Sequence, residues 1–141
     1  EAPAYITWST TNRSPLIRIP AARGKGTRIE LRCPDPSANP YLALAVCLRA
    51  GLDGIRNQIL PPESVDRDVF GMSASERCEK GVEEIPGTLI EAVHCMEGDA
   101  FIKDVLGNHV FEKYIEAKKV EWNRYRCQVT DWELNTYLNT Y

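Results

Sequence analysis

Several features that define other protein classes are missing from this chain of 141 residues. Its apolar runs are all shorter than the roughly 18 residues that a membrane-spanning helix needs. Its five cysteines form no Cys-x-x-Cys pair, and their odd number and wide spacing argue against a disulfide framework and against a structural zinc site. We therefore expect buried free thiols, no membrane association and a cytoplasmic location.

Charge is distributed unevenly along the chain. The net charge is −3, which taken alone argues against a general binder of nucleic acid or anionic membranes. Residues 13–32, however, contain six basic residues and one acidic residue, a local net charge of +5. The other 121 residues therefore carry −8. This basic segment on an acidic chain is the first candidate for a functional site.

Three short runs before Pro34 have the alternation of β-strands, at residues 5–9, 16–19 and 28–32. In the third run, Ile29 and Leu31 share one face and the charged residues share the other, because side chains alternate along a strand. The pattern predicts strands with one apolar face on a core and one charged face towards a partner. The basic, glycine-rich segment 21–27 is predicted to be a mobile loop.

The chain after Pro34 has a helical pattern. Ser37 or Asn39 can cap a first helix, and Pro40 suits its first turn. Because residues 41–48 are apolar on every face, this helix is predicted to be buried on all sides.

Later helix starts carry capping boxes, in which a hydroxyl residue is followed three positions later by Glu. The pairs are Ser73 with Glu76, Thr88 with Glu91, and Thr130 with Glu133. A longer helix is predicted over residues 108–125 from an apolar stripe at helical spacing. The stripe consists of Phe111, Ile115, Trp122 and Tyr125. Together these patterns predict an α+β fold, with a few antiparallel strands at about residues 5–32 followed by a mainly helical C-terminal half.

The last predicted helix has an apolar face close to the end of the sequence, where fraying is expected unless the face docks. The face consists of Leu134, Tyr137, Leu138 and Tyr141. The pattern leaves two interpretations open: the face packs on its own domain, or it packs on another subunit.

The alternating residues Arg28, Glu30 and Arg32 share one predicted strand face. They could form a solvated ladder of ion pairs, which contributes little stability. In a functional interpretation, the guanidinium groups grip phosphates or carboxylates, and the carboxylate between them holds a divalent cation. Arg13 and Arg18 on neighbouring segments could extend this face into a site for a metal–polyphosphate and a second anionic substrate.

Four blocks of the sequence together resemble bacterial type I glutamine synthetase. They are NRSPLIRIP at 12–20, RIELR at 28–32, PDPSANPYLA at 34–43 and GLDGI at 51–55. The similarity extends over essentially the whole chain. It implies the C-terminal part of that enzyme's catalytic domain, with active-site strands at 1–33 and a helical region at 34–141.

The resemblance also implies a reaction and its site residues. In this family ATP phosphorylates the side-chain carboxylate of glutamate, and ammonia then displaces phosphate to give glutamine. Glu30 matches a ligand of a catalytic Mg²⁺ or Mn²⁺ ion, and Arg32 matches the arginine that binds glutamate. Arg13 matches an arginine near the transferred phosphoryl group.

Three further basic residues match the family's ATP-binding positions. Arg18 and Arg28 match arginines on the nucleotide phosphates, and Lys25 falls where the family's loop approaches the base. Such a site agrees with the needs of phosphoryl transfer, which depends on charge neutralisation and positioning.

The resemblance further implies an assembly of two stacked hexameric rings, in which the C-terminal segment reaches the opposite ring. It implies that the remaining metal ligands and the ammonia site lie upstream, so this polypeptide alone is expected to be inactive. Phe70 stands where some family members carry a tyrosine that is adenylylated, which predicts no such modification here.

Two alternatives to an ammonia ligase remain open. A sibling ligase would join glutamate to a polyamine or another amine by the same chemistry. A non-catalytic phosphate- or RNA-binding module is disfavoured, because no aromatic residues are interleaved with Arg28, Glu30 and Arg32, and because the rest of the chain is acidic. We expect ATP, glutamate and ammonia as partners, and no nucleic acid.

Overall fold

The structure is a computed structural model that describes residues 2–138 and 140. The chain divides into two compact units, Glu1–Gly87 and Thr88–Tyr141. Within the described residues, no helix has both the length and the apolar content of a membrane span.

The first unit contains a small sheet of three strands in the order β1–β2–β3. The strands are β1 (Trp8–Ser9), β2 (Ile17–Arg18) and β3 (Glu30–Leu31). β2 and β3 pair antiparallel, whereas β1 and β2 pair parallel. The α+β class is confirmed, but the sheet is mixed, because side-chain alternation predicts the faces of a strand and not the direction of its neighbours.

The predicted strand at 5–9 is divided between two pairings. Trp8 and Ser9 belong to the sheet, while Tyr5 forms an isolated bridge with Glu84. This bridge closes the unit around a small apolar core. The core consists of Val65, Val69 and Met72, with Tyr5 and Val82 packed against it.

α1 (Pro40–Arg56) begins as predicted. The Asn39 side chain accepts hydrogen bonds from the backbone N–H groups of Tyr41 and Leu42, at 3.0 and 3.3 Å. The predicted burial on all sides is wrong for this chain: Tyr41 is 82% exposed and Ile55 is 76% exposed. An apolar pattern indicates that a face is suited to burial, whereas burial itself needs a covering surface.

The first unit also contains two 3-10 turns, at Gly24–Gly26 and Val69–Gly71, and α2 (Ala74–Glu79). α2 starts with the predicted capping box between Ser73 and Glu76. The two other predicted boxes are also present in the second unit, at the starts of α3 (Leu89–Glu97) and α5 (Asp131–Tyr137).

α4 (Ala100–Arg126) is broken at Gly107, whose φ of 72° lies in the region that favours glycine. The helix predicted over 108–125 is therefore confirmed as the part after the break. An earlier helical segment, capped by Asp99, was not predicted. Phe111 and Ile115 of the predicted stripe are buried and form the core of the second unit with Val93.

The predicted burial of the cysteines is also wrong. All five cysteines are free but exposed, although free thiols are more often buried. The apolar stripe of α4 is exposed at its end, because Tyr125 is 65% exposed. On and just after α5, the apolar residues Leu134, Tyr137 and Leu138 are exposed. The fourth predicted member of that face, Tyr141, lies outside the described residues.

Candidate active site

The antiparallel pairing of β2 and β3 places Arg18 directly opposite Glu30. Side chains opposite each other on one face of a sheet are close enough to interact. Arg18 Nη1 donates to Glu30 Oε2 at 2.9 Å. Arg28 donates to the other oxygen, Oε1, from Nε at 3.0 Å and from Nη2 at 2.6 Å. We call these three residues the carboxylate clamp.

The clamp keeps Glu30 ionised. Hydrogen bonds from the two arginines lower the pKa of the Glu30 carboxyl below its usual value, and the bond from Arg18 contributes more than that from Arg28. The side chains of Arg18 and Glu30 are 25% and 28% exposed, so solvent reaches the pair. The Nε of Arg18, by contrast, is buried and has no hydrogen-bond partner among the described residues. It is therefore an unsatisfied buried donor, which is rare in folded proteins.

Arg32 does not join the clamp as the alternation predicted. Its Nη1 donates to the backbone carbonyls of Arg13 and of Pro15, the latter at 3.2 Å. Its backbone N–H donates to the carbonyl of Leu16 at 2.9 Å, which continues the pairing beyond β3. The ion-pair cluster therefore spans two strands through Arg18, while Arg32 is fixed on the segment before β2.

Arg13 and Arg32 line the same cavity, of about 390 Å³. The other residues around it are Asn12, Ser14, Asp68 and Phe70. The cavity lies at the lower end of the volume range of small-molecule sites in proteins. Two of the predicted anion-binding arginines thus come together at one cavity, beside Phe70.

Lys25 lies in a 3-10 turn at Gly24–Gly26, within the segment predicted to be a loop. Its side chain is exposed, and within the described part of the chain it makes no hydrogen bond or ion pair. The structure therefore brings five of the six predicted site residues into two groups, the clamp and the Arg13–Arg32 cavity, and leaves Lys25 outside both.

Sequence reasoning missed the segment 64–70, which packs along β1 and the residues after it. Asp66 accepts hydrogen bonds from Ser9 Oγ at 2.7 Å, Ser64 Oγ at 3.1 Å and Thr11 Oγ1 at 3.3 Å. These bonds, with that of Ser9 the largest contribution, lower the pKa of the Asp66 carboxyl. Ser9 and Asp66 are 57 positions apart, so no local pattern could have indicated this contact.

The described residues supply few ligands for a metal ion. Among them, no group of three or more His, Cys, Asp or Glu side chains is placed to hold one. Glu30 nevertheless fits the role of a single carboxylate ligand, because it is ionised and its Oε2 accepts only one hydrogen bond, from Arg18, which leaves that oxygen a second lone pair. Mg²⁺ is commonly bound by only one or two carboxylates together with water and substrate phosphates.

Comparison with known families identifies the class of protein to which this fold and cluster belong. The family model described as "Glutamine synthetase, catalytic domain" matches residues 1–137. The chain therefore belongs to the glutamine synthetase catalytic-domain family.

Individual relatives agree with this assignment. The chain is 54% identical over 141 residues to a glutamine synthetase of Clostridium saccharobutylicum, covering 100% of this chain and 32% of the relative. It is 55% identical over 139 residues to one of Methanosarcina mazei, covering 99% and 31%. A solved structure described as "Apo GmaS without ligand" superposes with a TM-score of 0.80 at 38% identity, covering 98% of this chain and 31% of that one. The chain thus spans about a third of the length of these relatives.

Proposed function

We propose that the full-length protein containing this chain is a glutamine synthetase of the bacterial type I class, to which the chain contributes the C-terminal part of the catalytic domain. In the proposed reaction, the γ-phosphoryl group of ATP passes to the side-chain carboxylate of glutamate, and ADP leaves. Ammonia then attacks the γ-glutamyl phosphate at its acyl carbon, and phosphate leaves as glutamine forms. The observation that carries the proposal is the carboxylate clamp of Arg18, Arg28 and Glu30, in a chain about half identical to glutamine synthetases along its whole length.

Glu30 is proposed as a ligand of a catalytic Mg²⁺ or Mn²⁺ ion. A metal ligand must be deprotonated, and the two arginines of the clamp favour the ionised carboxylate. When bound, the metal neutralises charge on the phosphates of ATP. Glu30 supplies only part of the coordination shell, so the proposal includes further ligands from the remainder of the protein.

Arg18 and Arg28 are proposed to bind the phosphates of ATP. A guanidinium presents several donors in a rigid fork, so an arginine can hold Glu30 and a phosphate oxygen at once. The side chains of Arg18 and Arg28, which are 25% and 52% exposed, are open to a ligand and support this role. Lys25, exposed on its turn, is proposed to approach the nucleotide base.

Arg32 is proposed to bind the glutamate substrate, and Arg13 is proposed as the catalytic arginine that stabilises the transferred phosphoryl group. Their shared cavity supports the pairing, because the two roles require neighbouring positions. A positive charge fixed before the reaction stabilises the developing negative charge without reorganisation. Arg32 is held on two carbonyl groups, which suits a residue that must present its guanidinium in one geometry.

The proposed assembly is two stacked hexameric rings, with the C-terminal helix at a contact between subunits. The exposed apolar side chains of Leu134, Tyr137 and Leu138 on and just after α5 support such a contact. We propose a cytoplasmic location, which the five free cysteines support.

Ammonia is the acceptor that we propose, in preference to a polyamine, since the relatives from Clostridium, Methanosarcina and Thermus are all named glutamine synthetase. The test is a pair of steady-state assays of the full-length protein with ATP, glutamate and Mg²⁺. One assay supplies ammonium as the acceptor and the other supplies a polyamine. Glutamine formation that depends on ATP and on ammonium is expected. Faster product formation with the polyamine would overturn the choice of acceptor, and no product with either would overturn the ligase function.

A further inference from the structure

Both polar groups of the Asn12 side chain, the Nδ2 amide and the Oδ1 oxygen, take part in hydrogen bonds. Its Nδ2 donates to the backbone carbonyls of Val65 and Arg67, both at 3.1 Å. Its Oδ1 accepts from the backbone N–H of Ser14 at 2.9 Å and from Ser14 Oγ at 3.0 Å. One amide thus joins the segment 64–70, which we call the anchor segment, to the segment 12–15, which we call the arginine loop.

Ser14 makes a second connection between the same two segments. Its Oγ donates to Asn12 and accepts from the backbone N–H of Val69 at 3.1 Å. Val69 has no exposed surface and belongs to the core of the first unit. The arginine loop is therefore fastened to the anchor segment at three backbone groups, two of which belong to the buried residues Val65 and Val69.

The arginine loop in turn holds both arginines of the cavity. It carries Arg13, and its carbonyl groups at Arg13 and Pro15 accept the hydrogen bonds of the Arg32 guanidinium. These two carbonyls flank Ser14, so a rotation of the loop at Ser14 would change the direction of both. The position of Arg32 consequently depends on Asn12, although the two residues are 20 positions apart. Asn12 lies between β1 and β2, whereas Arg32 directly follows β3.

We propose that Asn12, together with Ser14, is a positioning residue for the glutamate-binding site. It acts through the arginine loop, by keeping the carbonyls of Arg13 and Pro15 aimed at Arg32 and by holding Arg13 at the edge of the same cavity. This inference deepens the proposed function, on which it rests for the identity of the ligand of Arg32.

The proposal predicts a change in substrate affinity as well as a change in stability. Asn12→Ala leaves two carbonyls of the anchor segment and one backbone N–H of the arginine loop without their partner. Enzyme molecules that still fold would then hold Arg32 in several orientations. A residue with only a structural role would lower the number of active molecules and leave the KM values of those that remain unchanged.

The experiment measures kcat and the KM values for glutamate and ATP in the full-length enzyme, with active sites counted by titration. For Asn12→Ala we expect a roughly tenfold rise in the KM for glutamate, with a change of less than about twofold in the KM for ATP.

Ser64→Ala is the matched control, because it removes a hydrogen bond within the anchor segment, to Asp66 at 3.1 Å, without touching the arginine loop. It is expected to leave both KM values unchanged. An unchanged glutamate KM in Asn12→Ala, or an equal rise in Ser64→Ala, would overturn the proposal.

Ser14 provides a second variant in case Asn12→Ala does not fold. Ser14→Ala is expected to raise the glutamate KM, and Ser14→Thr, which keeps the hydroxyl, is expected to restore it. Failure of the threonine variant to restore the KM in folded enzyme would contradict the role of the hydroxyl network.

Arg32→Ala separates this inference from the proposed function. If Arg32→Ala leaves the glutamate KM unchanged, the proposed role of Arg32 is wrong. If Arg32→Ala raises it and Asn12→Ala does not, only the positioning inference is wrong. Because Asn12 is proposed to act on glutamate binding through Arg32, the glutamate KM of the double variant is expected to be no higher than that of Arg32→Ala alone, whereas independent effects on this KM would multiply and contradict the proposal.

Discussion

Arg18 and Glu30 are direct cross-strand neighbours on β2 and β3, and their side chains meet at 2.9 Å. Arg28 approaches the same carboxylate from the other side at 2.6 Å. The clamp therefore depends on one backbone register, because a shift by one residue would turn Arg18 to the opposite face of the sheet. β2 and β3 are only two residues long, and their contribution to the proposed chemistry is to place Arg18 next to Glu30.

Arg28 offers a test of the nucleotide site. In the full-length enzyme, Arg28→Ala is expected to raise the KM for ATP roughly tenfold or more, since one charged hydrogen-bonding group to the phosphates is lost. Arg28→Lys keeps the charge but not the fork, so we expect only partial recovery. The control is Arg67→Ala, which removes an arginine of similar exposure that pairs with Glu76. An ATP KM that rises equally in both alanine variants would contradict the assignment.

Glu76 offers a test by pH. Its carboxylate accepts from Arg67 Nη2 at 2.7 Å and completes the capping box of α2, and these contacts lower its pKa to about 2 from an ordinary 4.5. A lowered folded-state pKa stabilises the fold above the unfolded value, and this contribution is lost as the pH falls through the folded value. The stabilisation of α2 is therefore expected to be complete above pH 4.5 and to disappear towards pH 2.

Hydrogen–deuterium exchange of residues 73–80 in the full-length protein measures this effect. We expect Glu76→Gln to exchange faster than the wild type at pH 7, and the difference to shrink between pH 4.5 and pH 2. Glu79→Gln in the same helix is the control and should show a smaller difference at pH 7. A difference between wild type and Glu76→Gln that persists unchanged at the lowest pH would contradict the shifted pKa.

Local features of the fold could be predicted from the sequence. The caps at Asn39, Ser73, Thr88 and Thr130 were recognisable because each involves residues within three positions of one another. The clamp was partly predictable for the same reason: the alternation of Arg28 and Glu30 is local, whereas the contribution of Arg18 depended on the register of β2 against β3.

Other features required the structure because they join distant residues or depend on which surfaces meet in the fold. The Asn12 side chain donates hydrogen bonds to Val65 and Arg67, which lie 53 and 55 positions further along the chain. Only its Asx-type turn with Ser14 has a local sequence signature. The apolar pattern of α1 correctly indicated a helix, but its burial could not be predicted from this chain, in which Leu44 and Leu48 are largely exposed.

The chain on its own is expected to be inactive. It spans about a third of the length of its relatives, and its described residues place no group of three metal-binding side chains together. A single carboxylate ligand and exposed apolar surface on α1 do not provide a closed site for phosphoryl transfer. An assay of the purified 141-residue chain with ATP, glutamate, ammonium and Mg²⁺ is expected to yield no glutamine above background, and measurable turnover would refute this expectation.

The substitution Glu30→Gln in the full-length protein tests the central claim most directly. It preserves the shape of the side chain and removes the charge that we assign to the metal, so glutamine formation is expected to fall by about 100-fold or more, as when one electrostatic group of a reaction centre is removed. Glu116→Gln, which neutralises a carboxylate paired with Lys113 on the surface of α4, is expected to retain wild-type activity. The account predicts loss of glutamine formation in the first variant alone. Wild-type turnover and unchanged dependence on Mg²⁺ in Glu30→Gln would contradict it.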